Sequence, residues 1–586
     1  MTAITKDERY GMLLELGIAL SAERNHNHLM EKILRGARSV ANADGGTLYL
    51  MTEARDALRF EIMLNESLGV AVGGDTGQDV PYPPLPLYDD NGKPNHRNVA
   101  THCALSGDIV NIADVRTVAD FDFSGTRAFD ARTGYRSQSF LAVPLRNRQG
   151  QVVGVLQLIN ARAGDGRIVP FDAGVAPLLT TLASHAAVAL ENAGLLQAQK
   201  DLFRSLIHLI AVAIDAKSPY TGGHCERVPE LTLALARAAC TANEGPFKDF
   251  SLDEEEWEDL SIAADLHDCG KITTPEFVID KATKLETVHN RIHEIRTRFE
   301  VLKRDARIEY LEAIPRGDED DAVLKERYER RLIELDDDFA FIAECNLGSE
   351  FMAPSRIERL KRIASTTWVR TIDDRLGLSA NELRRCSAAA APLPVVENLL
   401  ADQPWHIIPH DAPIDPRKYL AEGITQMPMP HKYNRGEIYN LCVGRGTLTE
   451  EDRLVVNEHI IQTILMLRAL PFPKTKKRIV EWAGGHHERV DGAGYPRGLT
   501  RDAMSVPARI IAIADIFEAL TAADRPYKKP KNLSEAMAIM SAMAGQGHID
   551  PDLFRLFLDS RIWSQYADKY LRPEQITPVD VQGLRG

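Results

Sequence analysis

A chain of 586 residues is too long for one hydrophobic core, and about two to four domains are expected. Apolar residues make up 44% and charged residues 26%, an ordinary globular composition, while a formal charge of −14 argues against a general nucleic-acid binder, which is normally basic. The 7 cysteines include no Cys-x-x-Cys pair, so a disulfide framework is not expected and a reducing compartment is; no apolar run approaches a membrane span.

The opening MTAITKDERYGMLLELGIAL reads as the start of an amphipathic helix without the basic region, apolar core and cleavage site of a signal peptide, so a cytoplasmic location is expected. A second helix is expected from about Leu29 to Ala41. GTLYLMTE (Gly46–Glu53) and LRFEIML (Leu58–Leu64) then read as a hairpin, and Ser139–Arg162 as strand, turn at Gln149-Gly150, strand. Helices followed by antiparallel strands and a closing helix make an α+β layout. The SFLAVPL strand, the QGQVVGVLQLIN hairpin and the PFDAGVAPLL helix start resemble a GAF domain, which implies a sensory domain over residues 1–175. Some GAF domains that bind cyclic nucleotides carry an Asn-Lys pair, a Phe and an Asp-Glu pair. Here Asn160 and Phe171 match, Ala161 replaces the Lys, and no acidic pair is evident. A small-molecule ligand and a ligand-free dimerising scaffold both stay open.

Residues 176–215 are expected to form a connecting helix. Leu179, Leu182, Ala186, Ala189, Ala193, Leu196, Lys200, Phe203, Ile207 and Ile210 alternate in steps of three and four, the seam of a coiled coil. A homodimer through this helix is expected; the alternative is a long helix packed on its own domain.

Three polar clusters follow. SPYTGGHCERV starts a helix with His224. ADLHDCGKITTPE puts His267 and Asp268 at a helix end, with Lys271 just beyond. GGHHERVDGAGYP holds His486, His487, Glu488 and Asp491 before a glycine-rich turn. Imidazole and carboxylate donors without thiolate suit iron, manganese or zinc, and a lysine nearby can meet a phosphate as a point charge.

HD-x-GK together with HHExxDGxGYP resembles the HD-GYP family of HD phosphohydrolases, over about 205–285 and 440–565. ARIIAIADIFEALTAADRPYK resembles the family helix with a metal-binding Asp, here Asp515, followed by Arg525, Pro526 and Tyr527. The family places a metal-binding His eleven residues after the Leu of a Lys-Pro-Gly-Lys-Leu segment. After KATKL, ending at Leu285, that position is Arg296, whereas His459 lies eleven residues after Leu448. The motif is therefore read as split. The HD-GYP domain would comprise 216–285 and 445–586, around a largely helical insertion at 286–444 that begins with a helical hairpin. His289 and His293 are read as surface residues.

The resemblance implies an all-α HD-GYP domain and a cyclic di-GMP phosphodiesterase giving pGpG or GMP through a metal-activated water. His224, His267, Asp268, His459, His486, His487 and Asp515 would hold two divalent transition metals, iron first and manganese as alternative, with Asp268 bridging. His267, Asp268 and Lys271 would be catalytic. Lys271, Gly494, Tyr495, Pro496, Arg497, Arg525 and Lys528 would face the substrate, and Glu488 could orient a ligating His. Tyr220 stands where members with three metals carry a Glu, so two metals are expected. A hydrolase for another cyclic nucleotide and a weakly catalytic cyclic di-GMP-binding protein remain the alternatives.

Overall fold

Asn25 accepts the amides of Asn27 and His28 and starts a helix whose buried face, Leu29, Ile33, Leu34, Ala37 and Val40, repeats with the helical period. The computed structural model describes residues 6–585 except 24, 77, 79, 218–222, 318, 349–350, 387–389, 412, 414, 422 and 523–529. The chain divides into two compact units, Met1–Phe203 and Arg204–Gly586.

In the first unit, α1 (Lys6–Ala22) and α2 (His26–Ala41) precede β1 (Ala43–Met51), β2 (Ala57–Asn65), β3 (Val70–Gly73) and β4 (Leu85–Pro86). Then come α3 (Val99–Ser106), β5 (Val110–Ile112), α4 (Ser124–Thr133), β6 (Phe140–Arg146), β7 (Val152–Arg162), β8 (Ile168–Val169) and the long α5 (Val175–Asp215). The antiparallel sheet runs β3-β2-β1-β7-β6-β5, with β4 on β2 and β8 on β7. Alternation along β1 sends Leu48 to the face covered by α2 and α5, and Thr47 and Tyr49 to the other. That second face packs α3 and, with α4, lines a cavity of about 520 Å³ whose walls include Thr47, Tyr49, Phe60, Tyr82, Phe140 and Gln157. Asn160 and Phe171 do not line this cavity. Asn160 accepts the amides of Gln138 and Ser139 and donates to Tyr135 and to the Arg136 carbonyl, while Phe171 lies in the core beneath α2.

The seam of α5 is used unevenly. Leu179, Leu182 and Ala186 are buried in the first unit, with Ala189 and Ala193 packed against the same core. Leu196, Lys200, Phe203 and Ile210 are exposed, and Ile207 is buried in the second unit with Ala211 and Ile214.

The second unit opens with α6 (His224–Cys240), α7 (Glu254–Leu266) and α8 (Glu276–Ile279). The expected hairpin follows as α9 (Ile292–Ala313) and α10 (Asp321–Asn346). Beyond it come α11 (Pro354–Ala364), β9 (Thr367–Arg370), α12 (Ala380–Arg385), β10 (Val395–Asn398), β11 (Ile407–Ile408), α13 (Pro416–Ala421), β12 (Tyr433–Asn434) and α14 (Glu437–Leu441). The inserted stretch thus adds two small two-stranded sheets, β10-β9 and β11-β12, to its helices. It has its own core, including Ile295, Phe299, Leu335, Ile342, Leu360 and Leu441. Its ends are stitched together. Lys281 donates to Asn440 and, at 2.7 Å, to Asp452; Lys284 donates to the carbonyls of Leu441 and Val443.

After it, α15 (Glu450–Ala469), α16 (Arg478–Gly484), α17 (Val506–Thr521), α18 (Leu533–Gly545), α19 (Pro551–Ser560) and α20 (Ile562–Tyr570) pack with α6 and α7 around Leu260, Ile464, Ile510, Phe517 and Phe557. Among the described residues, no helix is long and apolar enough to cross a membrane.

Candidate metal centre

Helix α7 starts at an Asp253–Glu256 capping box and stops at His267, after which Cys269–Thr273 tightens into a 3-10 turn. Gly270 allows the turn to lie on α15. Its N–H donates to Thr463 Oγ1 at 2.9 Å, and a Cβ at this position would stand 1.8 Å from the His459 carbonyl oxygen. The glycine of HD-x-GK thereby places Asp268 beside His459. Helix α6 delivers His224, α17 delivers Asp515, and the turn after α16 delivers His486 and His487.

These seven side chains come together as two groups of four that share Asp268. His224, His267, Asp268 and Asp515 form one; Asp268, His459, His486 and His487 form the other; within each, one donor atom per residue lies within 4.8 Å of the rest. His224 Nε2 is 3.1 Å from Asp268 Oδ2, 3.2 Å from His267 Nε2 and 3.5 Å from Asp515 Oδ1. His459 Nε2 is 3.2 Å from Asp268 Oδ1 and 3.2 Å from His487 Nε2, and His486 Nε2 is 3.9 Å from Asp268 Oδ1.

The backbone turns the ring nitrogens inward. Nδ1 of His267 donates to the Ala264 carbonyl at 2.6 Å, that of His486 to Ala483 at 2.7 Å, and that of His459 to Val456. Each acceptor is three residues earlier in the chain. His224 Nδ1 instead donates to Glu518 Oε2 at 2.6 Å, and Arg227 holds the other carboxylate oxygen at 2.6 Å. In all four rings Nδ1 is committed, which leaves Nε2 for the interior.

The electrostatics of the donors divide: burial opposes charge on His224, yet Glu518 and Asp268 raise it to about 10. Burial, then the neighbouring His267, lowers His486 to about 4; burial with His486 and His459 holds His487 well below its ordinary value. These rings stay neutral and keep their lone pairs. Burial opposes charge on Asp268, but Lys271 and His267 hold its carboxylate well below the usual range. Burial is likewise overcome at Glu518, which His224 and Arg227 lower to about 2. Asp268 Oδ1 and His486 Nε2 are buried and make no hydrogen bond. Buried polar atoms left in this way are costly, and two converging pairs of imidazole nitrogens at 3.2 Å suit shared cations. The donors present fit a pair of transition-metal ions.

Around the rim, Lys271 pairs with Asp268. The Tyr495 ring stacks on His487 with centroids 4.9 Å apart. Gly494 passes so close to the preceding turn that a Cβ would stand 2.2 Å from the Arg489 nitrogen, and the Pro496 carbonyl accepts the Thr425 amide at 2.8 Å. Arg497 is half-buried near Glu488 and Glu481. Arg525, Lys528 and Tyr220 lie outside the described residues.

Glu488 does not orient a histidine. Its two oxygens accept the amides of Arg497 at 2.7 Å and Leu499 at 2.9 Å, bracing the glycine-rich turn. Asp491 pairs with Arg489 outside both donor groups. The orienting carboxylate is Glu518, which the sequence reading missed. Its signal was spacing, because it follows Asp515 by three residues and shares that face of α17. His289 and His293 bond to Glu294 and Arg296 and lie outside both donor groups.

Two family models match the chain, the GAF domain at residues 25–190 and the HD domain at residues 394–553. The chain is therefore a GAF domain joined to an HD domain. Its HD-x-GK and HHExxDGxGYP sequences are similar to those of the HD-GYP type. The HD match begins inside the stretch read as an insertion; His224, His267 and Asp268 precede the match and cluster with His459, His486, His487 and Asp515, which lie within it. A 3'3'-cGAMP-specific phosphodiesterase of Vibrio cholerae is 44% identical over 109 residues, 19% of this chain and 24% of that protein. A cyclic di-GMP phosphodiesterase of Pseudomonas aeruginosa is 39% identical over 113 residues, 19% of this chain and 26% of that one. A cyclic di-GMP phosphodiesterase of Thermotoga maritima is 34% identical over 127 residues, 22% of this chain and 33% of that one. The chain thus spans about a quarter to a third of the length of these relatives.

Proposed function

We propose that the second unit is a metal-dependent phosphodiesterase that hydrolyses cyclic di-GMP to pGpG or GMP, controlled by the GAF domain. The observation that carries this reading is the pair of four-residue donor groups meeting on Asp268. His224, His267, Asp268 and Asp515 would hold one ion and Asp268, His459, His486 and His487 the other. When bound, such a pair activates water for attack on a phosphodiester and polarises the phosphoryl oxygen. Imidazole and carboxylate donors suit iron, taken first on the family resemblance, with manganese as the alternative.

The chain's own residues do the rest. Asp268 ties the two groups together, and Glu518 with the helix carbonyls fixes Nε2 of His224, His267, His459 and His486. Lys271 can turn from Asp268 to a substrate phosphate. Tyr495 offers a flat wall beside His487 to a base, and Gly494, Pro496 and Arg497 complete the rim, with Arg525 and Lys528 as further basic contacts.

Residues 1–175 would be the sensory part, 176–215 the connecting helix, 216–285 and 445–586 the catalytic domain, and 286–444 the insertion. Exposed Leu195, Leu196, Leu202, Phe203 and Leu206 on α5 support a homodimer through this helix. The cavity above β1 and β7 supports a small-molecule input. All 7 cysteines are free, in keeping with a cytoplasmic location.

Anaerobically purified protein loaded with Fe2+ or Mn2+ and given cyclic di-GMP should release pGpG or GMP. Binding without product would make it a signalling receptor instead. The Vibrio cholerae relative favours a second reading, with 3'3'-cGAMP as substrate. Faster release of linear product from 3'3'-cGAMP than from cyclic di-GMP in the same assay would select it.

A further inference from the structure

The C-terminal end of α5 does more than pack. Ile207, Ala211 and Ile214 anchor it in the core of the second unit. Asp215, its last residue, turns its carboxylate to the backbone that carries His224. Oδ2 accepts the amides of Gly223 at 3.1 Å and Cys225 at 3.2 Å, the two residues that flank His224. Gly223 has a φ of 82°, so α6 starts from a left-handed bend that needs outside support. Two residues beyond Asp215, Lys217 donates Nζ to the carbonyls of Lys271, at 3.1 Å, and Ile272. Those carbonyls belong to the 3-10 turn that carries Lys271. Two residues, Asp215 and Lys217, thus grip two segments that are about 50 residues apart in sequence, one bearing a donor of the first group and the other bearing the lysine at the rim.

We propose that Asp215 and Lys217 are positioning residues that set His224 and Lys271 by the placement of the end of α5. The bonds to Asp215 and Lys217 are charge-assisted and therefore stronger than neutral ones. A shift of the helix end acts on both segments together, and a misplacement of about 1 Å at a reacting group costs on the order of 100-fold. The signal that α5 delivers would be a change in metal hold through Asp215 and in substrate hold through Lys217. Only the second half rests on the phosphodiesterase reading.

The test uses the full-length protein, stripped of metal, titrated with Mn2+ and assayed with bis(p-nitrophenyl) phosphate. Asp215→Ala is expected to weaken Mn2+ at one of two sites about 10-fold or more. Asp215→Asn, whose carboxamide oxygen accepts the same amides, should retain most of the affinity. Lys217→Met should raise KM about 10-fold with Mn2+ binding unchanged. Unfolding midpoints are measured beside each variant, and Asp215→Glu takes the place of an alanine variant that fails to fold, under the same Mn2+ criterion. Wild-type Mn2+ affinity in the Asp215 variant with wild-type KM in Lys217→Met overturns the proposal. So does a loss of binding that only follows the unfolded fraction. Wild-type protein that binds Mn2+ but cleaves no phosphodiester would sink the proposed activity, and the Asp215 arm would still decide the anchoring.

Discussion

Asp268 stands where the two donor groups meet, and its burial makes it the residue least able to stand alone. A buried carboxylate must be compensated by neighbouring charge, and here His224, His267, His459 and Lys271 surround it. The double variant His267→Ala, Asp268→Ala is expected to lose both ions and phosphodiesterase activity, checked by elemental analysis and product release. Glu518→Gln should keep the fold but weaken His224 as a donor, because a carboxamide is a poorer partner for Nδ1–H and for Arg227. A fall of about 10–100-fold in Mn2+ affinity is expected by titration. The seven donors were legible because HD and HH pairs and their flanking glycines are local signals. Direction was not legible. Glu488 is next to His487 in sequence, yet it points to the amides of Arg497 and Leu499, while Glu518, far from both pairs in sequence, holds His224. Adjacency in a turn says little about where neighbouring side chains point; spacing along a helix says more.

At the scale of elements, packing of backbone on backbone decides the site. The turn after α7 touches α15 through Gly270, so Gly270→Ala must push His459 away or bend the turn. A loss of roughly 1–3 kcal/mol in stability is expected from such overpacking, read as a lower denaturant midpoint, together with loss of bound Mn2+. The helix α5 shows the limit of pattern reading. Its heptad spacing records only that one face is apolar, not which surface covers it. The first half is covered by the sheet of its own unit, and the stretch around Leu196 and Phe203 remains exposed. Leu196→Glu with Phe203→Glu should therefore convert a dimer to a monomer in light scattering. A dimeric mass in that variant would remove α5 from the interface.

Over the whole molecule, the stretch read as an insertion has a hydrophobic core of its own. The reading of a split motif rests on the spacing to His459, which fails at Leu285 and is met at Leu448. The two small sheets of the stretch were not announced, because their strands are short and follow turn-rich sequence. Its ends lie together at Lys281, Lys284, Asn440 and Asp452, so replacing residues 290–436 with a short flexible linker should leave Mn2+ binding by the second unit intact. The same deletion removes the Thr425 contact to Pro496 and is expected to change KM. Removal of metal acts on one unit only. Ions that bind the folded form alone add stability by mass action, so chelation should lower the second unit's unfolding midpoint and leave the first unit's transition where it was. The first donor group also has a history in time. His224 and Asp515 are about 290 residues apart, and a ribosome adding about 5–20 residues per second separates their appearance by roughly 15–60 seconds. The nascent chain can fold its sensory domain long before its first ion can be fully coordinated. On the proposed function, metal capture is thus a late step of biogenesis, and activity would wait until synthesis has passed Asp515.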